Sequence, residues 1–128
     1  MPDKKVIKVW TIQMGSWRLA VERKIIMLDV TAKSGNSAFA PDYSAVMDYK
    51  NGKMTEEQYT TLYLTRMRQS FKQAFLEWEK LKEYTEVAIA CYCKPNTFCH
   101  RYIFVDLMKK YLEREGFVVQ LCGEITNG

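Results

Sequence analysis

No apolar run in this chain approaches the ~20 residues a membrane-spanning helix needs, so no membrane partner is expected. No block of five or six like charges occurs, which argues against a charged interaction tail. Glycine is sparse, 6 residues of 128, and nowhere clustered. That removes both the dinucleotide fingerprint and the glycine loop that cradles phosphates, so no cofactor is expected. There is 1 histidine. The 4 cysteines are too few and too unevenly spaced for a disulfide framework; free thiols, metal ligands or a reactive site suit them better. The start, Met1-Pro2-Asp3-Lys4-Lys5, lacks the apolar stretch of a secretory signal, and a cytoplasmic location is expected.

What is present is ordinary for a globular chain: 48% apolar and 27% charged residues. The length suits one domain over 1–128 with a real core. A net charge of +4 helps an anionic partner arrive without identifying one. Because the basic residues are dispersed, a solvated mixed-charge surface is preferred to a nucleic-acid footprint.

Val6 to Ile12 alternates and is rich in β-branched residues, the pattern of a strand. Gln13-Met14-Gly15-Ser16 breaks it, and Ser16 is placed to cap a short helix through Arg23. Ile25 to Val30 is a continuous apolar run interrupted only by Asp29, as in strands buried on both faces of a parallel sheet. Lys33 to Ser37 is loop by composition. Pro41 opens a short helix, Asp42 to Tyr49. Thr55, with Gln58 three residues on, forms a capping box for a long helix. Its apolar stripe runs from Tyr59 through Tyr63, Met67, Phe71 and Trp78 to Leu81, and aromatic residues on such a stripe read as core. Val87 to Cys93 is a third strand, Phe98 to Glu115 a helix closed by Gly116, and Phe117 to Cys122 a fourth strand. The order β-α-β-α-α-β-α-β predicts an α/β fold with a mostly parallel four-stranded sheet, helices on both faces and right-handed crossovers.

Open parallel sheets bind ligands beyond the carboxyl ends of their strands, where the chain order reverses. With the first and third strands central, the loops Gln13–Trp17 and Cys93–Cys99 flank one crevice, and Thr31–Phe39 can fold over the same edge. The third loop, Cys91-Tyr92-Cys93-Lys94-Pro95-Asn96-Thr97-Phe98-Cys99-His100-Arg101, has the marks of an anion site. A helix N-terminus points into the crevice. Arg101 sits in the first turn, where a cation does nothing for the helix, and Lys94 adds charge. His100 is in the same turn. A cysteine at a helix N-terminus beside Arg and His is expected to ionise readily, which nominates Cys99 as the reactive thiolate, with Cys93 as runner-up. Cys91 reads as a small buried core residue.

Rival motifs are weaker. A cysteine-phosphatase loop needs Arg six residues after Cys, and no cysteine here has one. A zinc site from Cys91, Cys93, Cys99 and His100 is disfavoured, because adjacent ligands strain the geometry and no Cys-x-x-Cys pair exists; no metal is expected.

The pattern resembles the domain-of-unknown-function 488 family. The resembling pieces are Trp10-Thr11-Ile12 with Gly15-Ser16, Leu28-Asp29-Val30, Phe39-Ala40-Pro41, and Cys91 followed by Cys99-His100-Arg101. The last is the most specific, since that family typically carries Cys-His-Arg behind a strand ending in cysteine. Two positions depart. Members often have an acid where Cys93 stands, and often Arg where Thr31 stands, with Lys33 nearby. The resemblance implies a Rossmann-like, three-layer domain. Short members of this type look like bacteriophage proteins, which implies a small host nucleotide or signalling molecule as target.

The expected function is a binding domain for a nucleotide-like or phosphorylated anionic small molecule. Arg101, Lys94 and the helix N-terminus hold the anion, Cys93 lies beside it, and Gly15, Ser16 and Thr31 line the opposite wall. The alternatives are an enzyme on the same site, with Cys99 as nucleophile and His100 or a neighbour as base, and nucleic-acid binding.

Overall fold

The computed structural model describes residues 4–127; Met1-Pro2-Asp3, on which the absence of a signal was partly argued, lies outside the described residues. The strands are β1 (Val6–Gln13), β2 (Ile26–Asp29), β3 (Glu86–Cys91) and β4 (Val118–Glu124). The helices are α1 (Trp17–Glu22), α2 (Tyr43–Lys50), α3 (Glu56–Gln73), α4 (Phe75–Lys80) and α5 (His100–Arg114). All strands pair in parallel in the order β2-β3-β1-β4, so β1 and β3 are central as expected. The fold is α/β and Rossmann-like, in three layers.

Alternation along the strands builds two cores. Ile7 and Val9 of β1, Val87 and Ile89 of β3, Leu28 and Val119 face the helices α3, α4 and α5, with Phe39, Tyr63, Met67, Trp78, Phe104 and Met108 between. Ile12, Ala88 and Ala90 face the other way and pack with Ala20 of α1, Ile25 and Ile125. The second layer is thin because α1 has only 6 residues. β4 carries an irregularity at Cys122: Leu121 pairs with Val9 but Gly123 pairs with Trp10. Gly123 absorbs the extra residue at φ +90°.

Local signals account for most boundaries. Thr55 and Gln58 form the expected capping box on α3. Asp42, just after Pro41, caps α2 by accepting the Ser44 N–H at 2.8 Å. α5 ends in a Schellman turn, Phe117 N–H to Leu112 O and Gly116 N–H to Glu113 O, with Gly116 at φ +95°. Ser16 makes no capping side-chain bond, and a short 3-10 turn, Met14–Ser16, leads into α1 instead.

The long helix expected through Leu81 divides at Ala74 (φ −124°, ψ 40°). The break follows from Ser70. Its hydroxyl donates to Ala38 O at 2.5 Å and accepts from Trp78 Nε1 at 3.0 Å. Trp78, 3% exposed, thereby reaches the rings of Phe39, Phe71 and Phe104. Phe75, which an unbroken stripe would bury, is exposed.

Candidate functional site: a thiol-floored cavity at the carboxyl edge of the sheet

β3 leaves the sheet after Cys91. Thr97 Oγ1 donates to Lys94 O at 2.6 Å, and Asn96 adopts φ +62° and gives its N–H to Tyr102 Oη at 3.2 Å. This turn brings the chain back, so that Cys99 becomes the extended N-cap residue of α5. Cys91 and Cys93, two apart, project to one side, while Tyr92 between them is exposed. The Sγ atoms of Cys91, Cys93 and Cys99 all lie within 4.8 Å of one another.

Beyond β2, Asp29 organises the facing loop. Its carboxylate accepts the Thr31 N–H at 2.8 Å and the Ser34 hydroxyl at 2.7 Å, and its carbonyl accepts the Asn36 N–H at 2.8 Å. Gly35 lies so close to the Thr31 and Asp29 backbone that no Cβ fits there. His100 ties the two loops together: its Nε2 is 2.6 Å from Val30 O. A carbonyl only accepts, so Nε2 carries the proton and Nδ1 holds the lone pair. Nδ1 lies 3.8 Å from Cys99 Sγ.

Between these loops and α2 lies a cavity of about 560 Å³, within the range of small-molecule sites. Its floor is Cys91, Cys93, Cys99 and His100. Tyr49, Tyr59 and Phe98 form one wall, their ring centroids 5.1–5.6 Å apart. Thr31 and Ser34 form another, and Lys33, Tyr43 and Lys50 stand at the rim, with Lys33 Nζ 5.4 Å from the Tyr43 ring centre.

The thiols do not ionise alike. Cys91 and Cys99 donate toward Cys93, which holds the Cys93 thiol well below the ordinary range, against an opposing effect of burial. The same contacts, followed by burial, push Cys99 up. Cys93 therefore gives up its proton more readily than Cys99. The helix N-terminus and Arg101 by themselves nominate Cys99, but the neighbouring thiols outweigh them and the readier ionisation falls to Cys93. Burial pushes His100 below its ordinary value of 6.5 and keeps it neutral.

Arg101 is 0% exposed, and it is not among the residues lining the cavity. Its Nη1 donates to Cys93 O at 2.8 Å, and its Nη2 donates to Tyr102 Oη at 2.9 Å and lies 3.4 Å from Glu124 Oε2. It clamps the turn after β3 to the end of β4. Lys94 is exposed outside the cavity, although its carbonyl accepts from Thr97. Gly15 and Ser16 lie in the turn before α1 and do not line the cavity either. The strand order explains this: β3 separates β1 from β2, and the cavity sits on the β2 side. Of the residues singled out from sequence, the structure thus brings together Thr31, Cys93, Cys99 and His100. Those missed are Tyr43, Tyr49, Lys50 and Tyr59. Tyr59 was visible only as core, and α2 carried no signal except its tyrosines.

A Rossmann-like sheet with a cysteine-floored cavity beyond β3, beside a Cys-His-Arg helix start, defines an α/β domain with a cavity at the carboxyl edge of its sheet. The chain belongs to the DUF488-N3a family, described as the active DUF488-N3 subclade, whose model matches residues 16–112. No curated protein and no solved structure matches the chain.

Proposed function

We propose that the protein binds a nucleotide-like or otherwise phosphorylated small molecule in this cavity. The observation that carries the reading is the pairing of an aromatic wall, Tyr49, Tyr59 and Phe98, with two lysines at the rim, Lys33 and Lys50. A flat ring system stacks on the wall. The lysines meet an anion from the solvent side, and the N-terminus of α5 adds backbone N–H groups and its positive dipole end. The anion contact therefore moves from Arg101 and Lys94 to Lys33 and Lys50.

Calorimetric titration with nucleoside mono-, di- and triphosphates tests this. One of them binds the intact protein, and Lys50→Ala lowers its affinity at least ~tenfold, the worth of a charge-assisted contact. Equal affinity in the variant, or no binding across the set, removes the reading.

A second reading, an enzyme acting on the same ligand, draws on the half-buried Cys93 at the cavity floor, whose thiol is held low, and on the family's description as an active subclade. Cys93 is then the nucleophile in place of Cys99. His100, neutral and held by Val30 O, presents its free Nδ1 toward Cys99. For a protein working in the cytoplasm, the phage-type resemblance implies a small host nucleotide or signalling molecule as the target.

A further inference from the structure

The three thiols that floor the cavity converge more closely than a pocket for an organic ligand requires. Cys91 comes from the last position of β3, Cys93 from the turn, and Cys99 from the N-cap of α5, yet their Sγ atoms are mutually within 4.8 Å. A tetrahedral zinc centre with Zn–S of about 2.3 Å sets its sulfurs ~3.8 Å apart. The sulfurs are thus within about an ångström of that spacing. The fourth cysteine, Cys122, lies on β4 and is not part of the group.

We infer that Cys91, Cys93 and Cys99 form a soft-metal site, a three-thiolate centre for Zn²⁺ whose fourth position faces the cavity. The objection from sequence was that Cys99 and His100, being adjacent, would both have to bind. Three sulfurs from three separate backbone positions remove that need. His100 stays outside the centre: its Nε2–H is held by Val30 O, and its Nδ1 accepts from the Cys99 thiol in the metal-free protein. On binding, the thiols still protonated pass their protons to solvent and each sulfur gives a lone pair to the metal, leaving one net negative charge on the centre. Arg101 answers that charge: its buried Nη1 is 3.8 Å from Cys99 Sγ and points a donor at it. The metal site stands on the thiols alone. Only its opening onto a bound organic ligand rests on the ligand-binding reading above.

The test uses the metal by itself. Reduced, chelator-treated protein is titrated with Cd²⁺ and followed by sulfur-to-metal charge-transfer absorption, with Zn²⁺ as competitor. One ion binds per chain. Cys122→Ser leaves the affinity unchanged, and Cys91→Ser, Cys93→Ser and Cys99→Ser each lower it by more than the ~10–100-fold that even outer partners contribute, with circular dichroism confirming that each variant is folded. A second arm needs no variant: saturating Zn²⁺ protects Cys93 of the native protein from alkylation and leaves Cys122 reactive. Cd²⁺ affinity no higher than that of a variant keeping only Cys122, or Cys93 alkylated at the same rate with and without Zn²⁺, overturns the proposal. Neither arm contains a nucleotide, so a negative result here is separable from a failure of the cavity to bind one.

Discussion

A single side chain changes meaning most between sequence and structure. Arg101 looked like a ligand group because a cation gains nothing from a helix N-terminus. In the fold it is fully buried: its two terminal nitrogens donate to Cys93 O and Tyr102 Oη and face Glu124, while Nε has no partner among the described residues. Replacing it with alanine leaves the largely buried Glu124 carboxylate without its cation and frees the turn carrying Cys93. Removing one partner of a buried ion pair costs ~3–5 kcal/mol, so Arg101→Ala is expected to lower the urea midpoint strongly. A midpoint within error of the native protein's contradicts the clamp. The thiols give a second residue-scale expectation. In metal-free protein at neutral pH, brief alkylation and peptide mapping find Cys93 modified faster than Cys99, because Cys93 is half-buried with its thiol held low, while Cys99 is buried with its thiol pushed up. The reverse ranking returns the nucleophile to the helix N-terminus.

Elements were legible where local chemistry decides them. The capping box at Thr55, the C-terminal Gly116 and the apolar run of β3 are all written in short stretches, and the structure has them in place. The break at Ala74 was not legible, because its cause is tertiary: Ser70 is drawn to Ala38 O, 32 residues away in sequence, and Trp78 follows it. Helical periodicity persists across such a break, so spacing alone reads one helix. Ser70→Ala is accordingly expected to destabilise by ~1–3 kcal/mol, leaving Ala38 O and the Trp78 indole N–H without a partner. It should also change the near-ultraviolet signal of Trp78. A variant as stable as the parent makes the break a consequence of the chain from 75 onward. The candidate site was half legible for a related reason. Cys93, Cys99 and His100 lie in one recognisable stretch, whereas Tyr43, Tyr49 and Lys50 reach the cavity only because α2 folds over the β2 side of the sheet.

For the molecule as a whole, the buried histidine couples stability to pH. His100 is 4% exposed, and burial lowers its proton affinity below the ordinary 6.5. The unfolded chain therefore binds a proton that the folded one refuses. Stability is fully present above the unfolded value and falls as pH drops below it. The thermal midpoint of the native protein is expected to decline between about pH 7 and pH 5, and His100→Asn to flatten that decline. A parallel decline in the variant assigns the effect to carboxylates elsewhere. Among the described residues no helix is long and apolar enough to cross a membrane.

The loop after β2 is folded against itself by Asp29 and packed so tightly that Gly35 has no room for a side chain. Any larger residue at position 35 therefore acts on the cavity at a distance: its Cβ meets the Thr31 and Asp29 backbone, and the turn that presents Thr31 and Ser34 to the thiols has to open to admit it.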